Sequence, residues 1–192
     1  MEIFIIGLGN PEKEYEKSPH NTGFEVIDKI SKKNQFGEFK ESFDKKYLVS
    51  KGKIGKKNVA LIKPLTFMNN SGEAIRSLIK KSGAKKENLW VVHDEIDLQA
   101  GKIKISQNKK SAGHKGVESI VKTLKSNDFA RFRIGTCPFK NKSSIKDMGT
   151  FLLKPQNQEK LKLVNKGINN AVKAIETALE NSLAAAMTQF NK

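Results

Sequence analysis

Ile3-Phe4-Ile5-Ile6-Gly7-Leu8-Gly9-Asn10-Pro11, followed a little further on by Pro19-His20-Asn21-Thr22-Gly23-Phe24, decides how the chain begins. An uninterrupted apolar run that stops at Gly-Leu-Gly reads as a strand buried on both faces and then a tight turn. Phe24, Ile27 and Ile30 recur at helical spacing and predict a helix to about Lys33, with Thr22 and Glu25 in the pattern of a capping box. Strand, polar loop and helix form the opening unit of an α/β domain. The loop carries Asn10 and His20, the side-chain types that position substrates and move protons near neutral pH.

Outward from that unit, strands and helices continue to alternate. Phe39 to Ile54 is polar and alternating, as antiparallel strands are, with Lys51-Gly52-Lys53 as the expected turn. Val59 to Ile62 reads as a buried strand cut by Pro64. Thr66 is placed to cap a helix with Met68, Ile75, Leu78 and Ile79 on its apolar face. Leu89 to Val92 is a further buried strand, delivering His93-Asp94-Glu95 at its carboxyl end. Lys102 to Ile105 reads as an edge strand, and Val117, Ile120, Val121 and Leu124 as a helix stripe. Phe132 to Gly135 and Phe151 to Leu153 are the last strand candidates. A long amphipathic helix then carries Leu161, Val164, Ile168, Val172, Ile175, Leu179 and Leu183. With no internal repeat or linker, the expectation is one α/β domain over residues 1–192, a twisted mixed sheet flanked by helices.

Ligands in open α/β sheets collect at the carboxyl ends of strands. Asn10 and Asp94 stand at two such ends, and His20 lies in the loop after Asn10. An Asp94 that reached His20 would hold one imidazole tautomer and stabilise the imidazolium formed when His20 takes a proton from water. Spacing alone leaves open that Asp94 caps backbone and that His20 packs the helix entrance. Ser111-Ala112-Gly113-His114-Lys115-Gly116 leads into a helix N-terminus, read either as an anion site or as an ordinary Ser-capped helix. Gly7-Leu8-Gly9 lacks the third glycine and downstream acid of a dinucleotide fingerprint. His20, His93 and His114 lack the spacing of a zinc helix motif, so no metal is expected. No Gly-x-Ser-x-Gly elbow is present for a serine nucleophile.

Lys and Arg number 36 against 20 Asp and Glu in 192 residues, a formal charge of +16, and Arg76, Arg131 and Arg133 are the only arginines. Such a field favours a polyanionic partner; lysine-rich codon usage and solubility are the plainer source of it. The single cysteine, Cys137, rules out an internal disulfide and suits a reducing cytosol. Residues 1–8 hold too short an apolar run for a signal peptide or a membrane span, so a cytoplasmic location is expected.

Together the motifs resemble the bacterial peptidyl-tRNA hydrolase family over essentially the whole chain. They are Gly7-Leu8-Gly9-Asn10-Pro11 with Tyr15, His20-Asn21-Thr22-Gly23-Phe24, Lys63 through Gly72, His93 through Leu98, Gly113-His114, Arg131-Phe132-Arg133-Ile134-Gly135, and the tail from Ala185 to Asn191. The resemblance implies His20 as general base and Asp94 as its orienting partner, acting on the ester between peptide and the tRNA terminal ribose. It implies substrate contacts by Asn10, Tyr15, Asn21, Phe67, Met68, Asn69, His114 and Lys115. It further implies phosphate contacts to the acceptor and TΨC arms by Lys102, Lys104 and Arg133, no cofactor, no membrane partner and a monomer.

The chain departs from the family pattern at four places. Lys115 stands where asparagine is usual, Pro19 where arginine is, Glu12 where glycine is, and Ser106 where a further basic residue is often found. Lys115 offers donors but no acceptor. It is the feature that favours a rival reading as an RNA-binding relative without catalysis, against which the intact His20, Asp94, Asn10 and Asn69 argue. A hydrolase of small acidic esters is a third reading, disfavoured by the breadth of the positive charge.

Overall fold

Phe4, Ile5 and Ile6 are buried because their strand, β1 (Glu2–Gly7), has a parallel neighbour on each side. The computed structural model describes residues 2–138 and 142–191. After β1 come α1 (Thr22–Lys33), β2 (Lys40–Glu41), β3 (Tyr47–Ile54), β4 (Lys57–Pro64), α2 (Ser71–Ser82), β5 (Leu89–Gln99), β6 (Ile103–Ser106), α3 (Lys115–Leu124) and β7 (Ala130–Cys137). The chain closes with α4 (Met148–Leu153), α5 (Gln158–Glu180) and α6 (Leu183–Phe190). The seven strands form one mixed sheet in the order β2-β3-β4-β1-β5-β7-β6. The four central strands run parallel; β2, β3 and β6 are antiparallel to their neighbours.

Strand alternation divides the apolar residues between two cores. Ile5, Leu61, Val92, Phe132 and Ile134 pack under α1, α5 and α6. Ile6, Ile62, Val91 and Phe129 pack on the other face, under α2 and α3. The expected α/β architecture is therefore present, with β6 at an edge and Cys137 buried.

Several local expectations differ, each for a physical reason. Lys51-Gly52-Lys53 is not a turn but the middle of β3, where Gly52 pairs with Val59. The reversal is Gly55-Lys56, and Gly55 sits at φ 55°, which glycine takes without strain. Thr66 caps nothing, and its hydroxyl has no partner among the described residues. Instead Met68–Asn70 forms a 3-10 turn and α2 begins at Ser71. The capping box at α1 does not form either: the Thr22 hydroxyl donates to the Pro19 carbonyl at 2.7 Å. Phe151 to Leu153 is helix, not strand, because Asp147 caps α4 by accepting from the Thr150 amide at 3.0 Å. The last helix is broken, since α5 ends at Glu180 and Ser182 caps a new helix by accepting from the Ala185 amide.

β5 is longer than expected, which matters for the site. β1 stops at Gly7 opposite Val92, while β5 runs on to Gln99. Asp94 therefore lies inside β5, paired with Ile134 of β7, but beyond the end of β1. The N-terminal turn of α1 fills the space left above β1. A Cβ on Gly23 would collide with the Leu8 backbone and the Val92 carbonyl oxygen, so helix and strand ends touch backbone to backbone.

Gly23→Ala is expected to destabilise the fold by about 1–3 kcal/mol through overpacking, read as a Tm lowered by about 2–4 °C for each kcal/mol. An unchanged Tm would show that α1 does not rest on β1 in this way.

Candidate active site

Three side chains from three elements meet beyond the end of β1. Asp94, only 1% exposed, comes from β5. His20 comes from the 3-10 turn Pro19–Asn21 that enters α1, and His114 is the N-cap residue of α3. His20 Nδ1 lies 3.0 and 3.1 Å from the two Asp94 carboxylate oxygens. His114 Nε2 lies 2.9 Å from Asp94 Oδ1.

The partners assign the tautomers. The Val117 amide donates to His114 Nδ1 at 3.3 Å, so neutral His114 carries its proton on Nε2 and donates it to Asp94. His20 donates from Nδ1 to the same carboxylate, which leaves Nε2 as its lone-pair nitrogen. That atom makes no hydrogen bond among the described residues.

Burial lowers the His20 pKa, but the charge of Asp94 and the hydrogen bond to it outweigh this and raise it above 6.5, while Lys115 pulls it down. Burial pushes the Asp94 carboxyl up, and His20 and His114 together bring it well below the usual carboxylate range. His93 stacks edge-on against His114 at 4.6 Å and donates from Nδ1 to the Asp94 carbonyl. Burial holds His93 neutral, its pKa far below the usual value.

A cleft of about 720 Å³ opens over this trio. Asn10, Tyr15, His20, Phe67, Met68 and Asn69 line one side, and His114 and Lys115 another. Asn10 is locked in place: its side-chain oxygen accepts from the Met68 amide at 2.8 Å, leaving the Nδ2 donors for the cleft. Asn21 lies outside this cleft and lines a second cavity beyond Asn10. Its amide is spent on Asn10, accepting from the Asn10 N–H at 2.8 Å and donating to the Asn10 carbonyl at 3.1 Å. Of the two readings for residues 111–116, neither a serine cap nor an open helix end is found; His114 caps α3, and Ser111 donates to Glu118.

The cations separate into exposed and tethered ones. Lys102 and Lys104 are exposed beside the β6 edge, and Lys104 lies opposite Arg133 in the register. Arg133 is half-buried and donates from Nε and Nη2 to Glu95, whose carboxylate also lines the cleft. Arg131 is fully buried, and among the described residues only its Nη1 has a partner, the Lys110 carbonyl. His20, Asp94 and His114 are also the group of ligating atoms, all within 4.8 Å, that could hold a cation. Both imidazoles, however, are already bonded to the one carboxylate of Asp94, an arrangement suited to proton transfer.

A sequence profile described as peptidyl-tRNA hydrolase matches residues 4–192. The peptidyl-tRNA hydrolase of Aquifex aeolicus is 40% identical over 194 residues, covering 100% of this chain and 98% of that one. The chain belongs to the peptidyl-tRNA hydrolase family. The member from Thermodesulfovibrio yellowstonii is 36% identical over 192 residues, with 99% of each chain covered. The crystal structure of peptidyl-tRNA hydrolase from Acinetobacter baumannii matches with a TM-score of 0.88 over 98% of this chain and 94% of that one, at 27% identity. The family resemblance and the mixed-sheet fold expected from sequence are thus both found.

Sequence reading missed part of the peptidyl-tRNA hydrolase cleft. Met148, Gly149, Leu152 and Leu153 of α4 line it, together with Ile96 and Lys142. Asp147, three residues before Thr150, was the capping signal that could have placed α4.

Asp94→Asn removes the charge that raises the His20 pKa but leaves the burial that lowers it. The imidazole of His20, followed by NMR, is expected to titrate at lower pH in this variant than in the wild type. A midpoint that stays put would mean Asp94 does not set its basicity.

Proposed function

We propose that the chain is an ester hydrolase acting on peptidyl-tRNA, and that His20 activates the attacking water. The observation that carries this reading is the His20–Asp94 pair at the floor of the cleft, with His20 Nε2 unengaged. In this mechanism His20 Nε2 takes a proton from water as the oxygen attacks the ester carbonyl. Asp94 holds the ring and balances the imidazolium; the second donor on Asp94, His114, spreads that carboxylate's charge. The tetrahedral oxyanion lies against amide donors, Nδ2 of Asn69 and that of Asn10, the latter held in place before reaction begins by its bond to the Met68 amide. Collapse breaks the bond to the ribose oxygen, which takes the proton from His20. The products are a free peptide acid and a tRNA with its terminal hydroxyl restored.

Phe67 and Met68 give the cleft an apolar side for the peptide, which Tyr15 also lines. Lys102 and Lys104, with Arg133 once it exchanges Glu95 for a phosphate, lie along the β6–β7 edge and hold the acceptor and TΨC arms. Lys115 adds a cation at the cleft and competes with Asp94 for control of His20. No helix among the described residues is long and apolar enough to cross a membrane. The enzyme in this reading works as a cytoplasmic monomer without a cofactor.

The test is hydrolysis of an N-blocked aminoacyl-tRNA. His20→Ala is expected to lose about 10²–10⁴-fold in kcat while retaining tRNA binding. Wild type that binds tRNA but releases nothing would instead leave an RNA-binding relative.

The pH dependence has a definite sign. His20 works only as the neutral base, so kcat/KM rises with pH through a midpoint above 6.5. Lys115→Asn removes an opposing cation and shifts that midpoint upward, opposite to the shift from Asp94→Asn. Equal midpoints for wild type and Lys115→Asn would show that Lys115 does not act on His20.

Lys102→Ala with Lys104→Ala is expected to raise KM with kcat unchanged. Each lost phosphate contact should flatten the log–log salt dependence of binding by about 0.9. An unaltered salt slope would place the tRNA elsewhere.

A further inference from the structure

We propose that a second cavity, across Asn10 from the catalytic cleft, binds the peptide upstream of the scissile ester and favours basic residues there. This rests on the peptidyl-tRNA reading above. The cavity is about 420 Å³, within the range of ligand pockets. It shares Asn10 with the cleft, and two chain segments run from one to the other. On the first, Asn10 lines both spaces, Tyr15 faces the cleft, and Glu12 and Glu16 face the second cavity. On the second, Leu65 lines the new cavity and Phe67 the cleft.

Position in the sheet gives the direction. Lys104 lies on β6 and Arg133 on β7, with Lys102 just before β6, at one side of the sheet. The His20–Asp94 pair lies beyond the end of β1, over the middle of β5, in the centre of the sheet. The second cavity lies on the far side, against Leu48 of β3, Lys63 of β4 and Phe24 of α1. A substrate with its phosphates on the β6–β7 side and its ester at His20 sends its peptide across Asn10 into this space. An extended peptide advances at most about 3.3–3.6 Å per residue, so residues a few places from the ester reach it.

The lining then gives the preference. Phe24, Leu48 and Leu65 form an apolar floor suited to side-chain stems. The rim is acidic in a chain whose formal charge is +16. Asp28 is neutralised by Lys63, and the charge of Glu25 is opposed by that of Lys17, which also lines the cavity, whereas Glu12 and Glu16 are exposed and enter no ion pair among the described residues. A lysine or arginine side chain laid along such a floor with its charge at Glu12 and Glu16 is favoured, and an acidic one is repelled.

The experiment compares three substrates on one tRNA with the full-length protein: N-acetyl-alanyl, a tetrapeptidyl with lysine two residues before the ester, and the same peptide with glutamate there. Wild type is expected to favour the lysine peptide by about fivefold in kcat/KM, a surface-charge magnitude. The double variant Glu12→Gln, Glu16→Gln should abolish that preference through KM while hydrolysing N-acetyl-alanyl-tRNA, too short to reach the cavity, at the wild-type rate. Equal rates on both tetrapeptides in wild type, or a variant that slows all three substrates alike, overturns the proposal and leaves the hydrolase reading intact. No turnover of any of the three overturns both.

Discussion

The Asp94 carboxylate, enclosed in the protein and shared by two imidazoles, is the constraint around which the site is arranged. A buried charge of this kind is costly unless its oxygens are hydrogen-bonded. His20 meets that requirement from the α1 side and His114 from the α3 side. The two helix entrances are therefore held to the same strand from opposite layers of the fold. The donors that stabilise the carboxylate are also the groups that give the site its chemistry. Any displacement of either helix start leaves Asp94 short of a partner, so the geometry of the pair and the stability of the fold are coupled.

A second layer fixes the orientation of the substrate-facing groups. Asn21 grips the backbone of Asn10 at both N–H and carbonyl, and Asn10 in turn holds the Met68 amide. Three chain segments distant in sequence become one frame, with the Asn10 Nδ2 donors aimed outward. Gly23 beneath this frame allows α1 to approach Leu8 and Val92 without an intervening side chain. Preorganised donors are effective because they need no reorganisation as charge develops. The frame supplies that rigidity from backbone contacts and amide pairs, without further charge.

The alternation of buried runs and helical stripes made the architecture legible in the sequence, since each core face is filled from residues two or three-to-four apart. Asp94 and His20 could be singled out as strand-end and loop residues, but 74 positions separate them and only the parallel pairing of β1 with β5 brings them together. Thr66, Thr22 and Lys51-Gly52-Lys53 all carry plausible local signals; the first and last are overridden by tertiary demands, the Asn10–Met68 bond and the register with β4, and Thr22 by a competing local acceptor, the Pro19 carbonyl. Phe151-Leu152-Leu153 is too short for periodicity to separate strand from helix. The family resemblance puts Asn21 with the substrate; that its amide turns back on Asn10 while the residue lines the second cavity depends on contacts no spacing reveals.

Net charge illustrates the same limit at larger scale. A total of +16 points to a polyanion but says nothing about where it lies. Lys102 and Lys104 are exposed beside the β6 edge, Arg133 is tied to Glu95, and Glu12 and Glu16 stand beyond Asn10 on the other flank of the site. His20 stands between these fields, its basicity raised by Asp94, lowered by burial and lowered again by Lys115. Placing the base at the boundary lets the same protein attract the phosphates of its substrate from one side without stripping the proton acceptor of its affinity for a proton. Asp94 secures this because its charge is enclosed and close, whereas the lysines act through water and are screened.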